Sequence, residues 1–324
     1  MRFGIKPLQG GRHFATTLEE CRLAEALGFD SIYISEHHGL PDGFYPTPFV
    51  VLAAVAAQTR QVRLWIGILL LPLYHPLHVA EQAAVVDGLS QGRLELGVAV
   101  GYRPEEFAAF GVPLEERGAR SDEAIPLLRR LFTEERVTHQ GRFWQLRDFT
   151  LHPRPVQHPP RIWVGGWSAA ALRRAARLGD GWLPGPTANR ATLRTCFETY
   201  RCALRERGID PATGEVPLGR DLYVTTDRAE RDRVMRLFVQ RYAQAYVQWG
   251  HFNTPEAEFQ ATQEQGQRFF VGNPDECIAY VEDLRQEFGI TQLLMRMHYE
   301  EIGPAGARRS MELFAAHVIP AFRS

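Results

Sequence analysis

The segment "SIYISEHHGLPDGF", Ser31 to Phe44, ends a β-like run in Glu36-His37-His38 before a Gly/Pro loop. Adjacent histidines at a strand end can ligate a metal, move protons or form a plain polar edge. Side chains on a strand alternate faces, so Ser31, Tyr33, Ser35 and His37 share one face, and Ile32, Ile34, Glu36 and His38 the other. The isoleucines suit a helix-covered face, which aims His37 into the sheet's interior and His38 away from it. A single inward imidazole favours acid–base or cofactor-contacting work over a metal centre, which needs several converging ligands. Cys21, Cys196, Cys202 and Cys277 form no CxxC or Cys/His spacing, so no metal site is expected. They read as reduced thiols of a cytoplasmic protein.

A second constellation is "RIWVGGWSAAALRRAARLGDGW", a strand, a Gly-Gly turn and a serine that opens a helix. Gly165 and Gly166 allow close backbone approach, and Ser168 can cap the helix. The amides of such a first turn favour an anion, phosphate in particular. No GxGxxG opens a helix after a strand, so a nicotinamide site of the Rossmann type is absent from the pattern.

Such groups need a frame, and the chain repeats one. Short β-branched or small-residue runs alternate with helix-period segments eight times over 324 residues. "RFGIKPL", "SIYIS", "VRLWIGILLLPL", "RLELGVAVG", "RIWVGG", "GWLPG", "GRDLYVTTD" and "TQLLMRMHY" are the strands. Apolar residues on both faces mark buried parallel strands. The expectation is an α/β fold, a (β/α)8 TIM barrel over residues 1–324, with insertions after strands four and seven. The first insertion is the β-rich "RVTHQGRFWQLRDFTLHPRPVQHPP", and the second holds a polar stretch from about 247 to 268 that could serve as a lid. A barrel places chemistry at the C-terminal ends of its strands. Lys6, Gln9, Glu36-His37-His38, Tyr74-His75, Gly101-Tyr102-Arg103, Gly165 to Ser168, Trp182, and Met297-His298-Tyr299 then gather at one mouth.

Composition excludes several partners. With 37 Lys+Arg against 38 Asp+Glu and scattered basic residues, nothing favours nucleic acid or an anionic membrane. No apolar run reaches the roughly 18 residues of a membrane span. The opening "MRFGIKPLQGG" lacks the apolar block of a signal peptide.

Several segments together resemble the bacterial luciferase-like flavin-dependent monooxygenase family over nearly the whole chain. They are "SEHHG", "LLLPLYHPLHVAEQAAVVDGLSQGRLELGVAVGYRPEEFAAFGV", "IWVGGWSAAALRRAARLGDGW" and "ELFAAHVIPAF". The resemblance implies a barrel that binds flavin at its C-terminal mouth. It implies His37 as the acid–base group near the reactive flavin edge, with His38 as its neighbour. Gly67-Ile68 matches a frequent non-proline cis peptide under the flavin ring. Ala99, Val100, Gly101 and Tyr102 would line the flavin, Gly165, Gly166, Trp167 and Ser168 would take its phosphate, and Trp182 would lie near the ring. Where relatives can place a phosphate-facing arginine this chain has Val100, which leaves the phosphate to backbone amides, Ser168 or a nearby arginine such as Arg103. The implied activity is that of a two-component monooxygenase that uses reduced FMN from a separate flavin reductase, and O2, on a small apolar organic substrate. The alternatives are hydride transfer with coenzyme F-420 and a non-catalytic flavin-binding barrel. A homodimer is the family's expectation, and the apolar helix "FVVLAAVAAQ" agrees with it. Tyr33, Phe44, Tyr45, Trp167, Trp182, Trp249, Met295 and Met297 are the expected apolar pocket.

Overall fold

The structure is a computed structural model that describes residues 1–11, 13–40, 44–244 and 264–323. Eight parallel strands form the barrel wall: β1 (Arg2–Lys6), β2 (Ser31–Ile34), β3 (Arg63–Leu70), β4 (Leu94–Ala99), β7 (Arg161–Gly165), β8 (Gly181–Leu183), β9 (Pro217–Val224) and β11 (Gln292–Arg296). Their order is β9-β11-β1-β2-β3-β4-β7-β8, and the Gly219 amide donates to the Pro184 carbonyl at 3.0 Å, joining the two ends. Between β4 and β7 lies the antiparallel hairpin β5 (Val137–Gln140) and β6 (Gln145–Phe149), the β-rich insertion expected there. After β9 the chain adds one strand that the sequence pattern did not separate, β10 (Phe269–Gly272), parallel to the outer half of β9. "FFVG" is too short and too near the next helix to carry a period of its own.

Helices α1 (Phe14–Ala26), α2 (Pro48–Gln58), α3 (Pro76–Ser90), α4 (Pro104–Ala109), α5 (Arg117–Thr133), α6 (Ala169–Leu178), α7 (Arg190–Arg205) and α8 (Arg228–Tyr242) surround the wall. The helices Pro274–Phe288 and Gly303–Leu313 complete the outer layer. Between wall and helices lies the main apolar core, to which the outward residues Ile32 and Ile34 belong. A second cluster fills the barrel itself: Tyr33, Trp65, Trp163, Leu183 and Leu294, with Ile68 at its edge. Under this plug the Trp163 indole donates to Glu95 at 2.7 Å, and Arg161 bridges Glu95 to Glu215. The floor of the barrel is therefore closed, and its interior opens at the opposite mouth.

Arg93 and Asp87, in the segment after β3, hold the frame away from the mouth. The Arg93 guanidinium donates to the Val62 carbonyl at 2.8 Å, and Asp87 accepts from the Gln157 amide at 2.8 Å. Of the proposed lid, 247–263 and with it Trp249 lie outside the described residues. Among the described residues no helix is long and apolar enough to cross a membrane.

One position shows how closely the wall is fitted. A Cβ on Gly97 of β4 would stand 2.3 Å from the Ile66 carbonyl oxygen and 2.9 Å from Leu183 Cδ2. Backbone cannot retreat as a side-chain tip can, so Gly97→Ala is expected to cost about 1–3 kcal/mol of stability. Urea unfolding of the variant measures this, and an unchanged midpoint would contradict it.

Candidate functional site

The mouth holds a cavity of about 400 Å³ into which the ends of most of the wall strands open. That size falls within the range of small-molecule and cofactor sites. From β2 come Tyr33, Ser35 and His37, the face that strand alternation aimed inward. Glu36 also reaches the cavity edge, because the strand ends at Ile34 and its strict alternation with it.

His37 is 9% exposed, and its Nδ1 lies 2.8 Å from Glu106 Oε1. The same oxygen accepts the His38 amide at 2.8 Å. Glu106 sits in α4, 69 residues from His37, so no local sequence pattern linked the two. The only cue was an acid in the first turn of the helix that follows strand four. Burial raises the Glu106 pKa, but hydrogen bonds and charge from His37, the His38 amide and Arg103 outweigh it and hold the carboxyl below its usual value. An ionised Glu106 accepts a hydrogen bond from Nδ1–H, fixing the tautomer in which Nε2 is the nitrogen that exchanges protons.

A depressed folded-state pKa means that Glu106 stabilises the fold above its unfolded value, about 4.3. That contribution disappears as pH falls through the lower folded value. Wild type should lose stability in this acid window more steeply than Glu106→Gln, and parallel thermal melts across it compare the two slopes.

His38 turns away from the cavity. Its ring packs on Phe110 at 4.6 Å, and its Nε2 lies 2.9 Å from Glu36 Oε1. Glu36 Oε2 accepts the Leu70 amide at 2.5 Å, and Oε1 also accepts the Tyr74 hydroxyl. Burial, then the charge and hydrogen bond of Glu36, push the Tyr74 pKa up, so its hydroxyl keeps its proton. Glu36 thus ties the end of β2 to the end of β3.

The intervening stretch of β3 carries Gly67 and Ile68, joined by a cis peptide where the ladder to β4 breaks register. Ser35 Oγ donates to the Gly67 carbonyl at 2.8 Å. Ile68 lies over Gly165, where a Cβ would stand 2.0 Å from its Cδ1. Gly165 makes room for this platform and is not part of the cavity lining. Ala99 and Val100 continue the lining at the end of β4. At Gly101 the backbone turns with φ +73°, a left-handed conformation that favours glycine, and Tyr102 follows on the cavity wall.

Across the cavity, Gly166, Trp167 and Ser168 line the wall at the start of α6. Ser168 Oγ accepts the Ala171 amide at 3.2 Å as an N-cap, leaving Ala169 and Ala170 amides without intrahelical partners. Arg117, which opens α5, reaches the same cavity. It was missed because it lies 18 residues past the end of β4. Arg103, the arginine expected to meet a phosphate, instead donates to the His38 carbonyl at 3.1 Å and lies 3.6 Å from Glu106.

Trp182 does not face the cavity. Its indole donates to the Gly166 carbonyl at 2.9 Å and packs on Phe197 and Tyr200 in α7, supporting the Gly-Gly turn from behind. The three-residue β8 presents Leu183 inward, which sends its neighbour outward. Of the expected apolar pocket, Tyr33, Phe44 and Trp167 line the cavity, while Tyr45, Met295 and Met297 are buried in the helix-facing core.

The cavity therefore joins a His–Glu pair, an apolar floor and an anion-receptive helix start. A flavin mononucleotide requires a flat apolar bed and a phosphate cradle, and these residues fit both requirements. The family profile described as luciferase-like monooxygenase matches residues 1–292. A monooxygenase from Streptomyces bottropensis, RslO1, superposes with a TM-score of 0.86 at 31% identity, covering 99% of this chain and 100% of that one. The oxygenase component of a flavin-dependent trigonelline monooxygenase from Acinetobacter baylyi is 36% identical over 150 residues, 45% of this chain and 41% of that protein. An F-420-dependent glucose-6-phosphate dehydrogenase from Intrasporangium calvum is 37% identical over 175 residues, 49% of this chain and 50% of that protein. The chain thus spans half or less of these two curated relatives. The profile match runs through the barrel from β1 to the start of β11, and the chain belongs to the luciferase-like monooxygenase family.

Proposed function

We propose that the protein is the oxygenase of a two-component monooxygenase that binds reduced FMN and oxygenates a small organic substrate. The observation that carries this is the span of one cavity: the His37–Glu106 pair on one side, the α6 N-terminus with Ser168 and Arg117 on the other, and the Gly67–Ile68 platform between them. Ser168, the amides of Ala169 and Ala170, and Arg117 would hold the phosphate. Ile68, Ala99 and Val100 would bed the ring. Bound reduced flavin would supply the electrons that activate O2 for transfer to the substrate. His37 Nε2 holds or moves the proton that the transfer requires, and Glu106 keeps the imidazole oriented. Walls built from Tyr33, Leu183 and Leu294 exclude water from the reacting centre.

No Rossmann-type motif is present in the chain, so a separate reductase would deliver the reduced flavin. Val50 on α2, and Val85 and Leu89 on α3, are 65%, 46% and 53% exposed on adjoining helices. This apolar face fits a homodimer interface. A monomer in sedimentation equilibrium would exclude the dimer.

Hydride transfer with coenzyme F-420 is the second reading, and the F-420-dependent relative favours it. Anaerobic titration with reduced FMN and, separately, with reduced F-420 separates the two. Tight binding of FMN, followed by slower oxidation on exposure to oxygen than in free solution, supports the oxygenase. Selective binding of F-420 would overturn it.

A further inference from the structure

Lys6 ends β1 at the cavity and is 5% exposed. Strand register puts Lys6 beside Arg296 of β11, and Arg296 beside Asp221 of β9. The three residues form one polar layer at the barrel mouth, two basic side chains and one carboxylate. Arg296 takes both Asp221 oxygens, at 2.6 and 2.8 Å, and the Tyr299 hydroxyl reaches the same carboxylate at 3.2 Å. Among the described residues no carboxylate forms an ion pair with Lys6. Its Nζ instead stands 4.2 Å from the centroid of the Phe44 ring, and that ring meets His37 in a T-shaped contact at 4.5 Å between centroids. Lys6 and His37 therefore flank one aromatic ring at the same side of the cavity.

Barrel order shows which ligand this amine faces. Around the wall, β1 is four strands from β7 in either direction, so Lys6 lies diametrically across the mouth from the Gly166–Ser168 turn. An anion held at α6 is out of its reach. Burial, and next the charge of Arg296, push its pKa well below the ordinary lysine value, while Asp221 partly offsets this. An arriving anion would favour the charged amine and so offset both effects.

We propose that Lys6 is the substrate-recognition residue of this site, and that the substrate carries an oxyanion, a carboxylate or acidic phenol, on an aromatic or otherwise apolar body. The assignment rests on the flavin reading above for the identity of the opposite end of the cavity. The body packs against Phe44 and Leu294, and the oxyanion meets Nζ, which places the substrate beside His37. Removing one partner of such a desolvated charge pair weakens binding by about 30-fold or more.

Calorimetric titration of the FMN-loaded protein with benzoate and 4-nitrophenol, against benzamide and 4-nitroanisole, tests this. The expected result is binding of the acids and not of their neutral counterparts, lost by about 30-fold or more in Lys6→Met, with FMN affinity unchanged. Lys6→Arg should keep the preference for acids even if affinity falls. Equal binding of neutral probes, binding of none of the acids, or an unaltered Lys6→Met would overturn the proposal, as would a Lys6→Met that weakens FMN instead. If the wild type refuses FMN yet still selects the acids with Lys6, the cofactor reading falls and the Lys6 assignment stands.

Discussion

His37→Asn will lower turnover by about 10²–10⁴-fold, the usual contribution of a positioned proton-transfer group, and leave reduced-FMN binding within a few-fold of wild type. Three features of the structure make this outcome specific. The imidazole lies on the cavity wall, held by Glu106 at 2.8 Å. Ser168 and Arg117, the proposed phosphate cradle, line the cavity away from it. Glu106 is not stranded by the change, because it still accepts the His38 amide at 2.8 Å and stays near Arg103 at 3.6 Å. Folding should therefore survive, and stopped-flow turnover beside equilibrium flavin titration separates chemistry from binding. Turnover within tenfold of wild type, or loss of flavin binding, would remove His37 from the role.

The largest expected loss of stability comes from Glu36→Ala. Glu36 is 2% exposed, and its carboxylate gathers the Leu70 amide, the Tyr74 hydroxyl and His38 Nε2. The Leu70 amide belongs to a buried residue, and Tyr74 is half-buried. Each stranded buried donor costs about 1–3 kcal/mol. The damage falls two residues beyond Ile68, so flavin affinity should drop together with the unfolding midpoint. Glu36→Gln keeps one carbonyl acceptor and should lose less than half as much. Urea unfolding of both variants measures the difference, and an Ala variant as stable as wild type would show that the cluster is not a staple.

The alternation of strand and helix periods was enough to set the barrel, because apolar runs buried on both faces have few other architectures to enter. It also placed the insertion hairpin between β4 and β7. Strand parity anticipated His37 inward and His38 outward, although both lie past Ile34, where β2 ends. The same rule broke at Glu36, where the strand had already ended. "GGWS" identified its turn because glycine and an N-cap serine act locally, through backbone conformation and the first amides of α6.

Other features required the tertiary structure. Glu106 and His37 are 69 residues apart, and only the docking of α4 over the end of β2 makes them a pair. Arg117 rather than Arg103 faces the cavity because His38 and Glu106 engage Arg103, a choice among long side chains that sequence does not encode locally. Trp182 faces the helices because Leu183 takes the inward position in a three-residue strand. The polar layer of Lys6, Arg296 and Asp221 exists only through the parallel register of β1, β11 and β9. Sequence determined what repeats locally along the chain; contacts between distant strands decided which charged side chains are paired and which one is left facing the cavity.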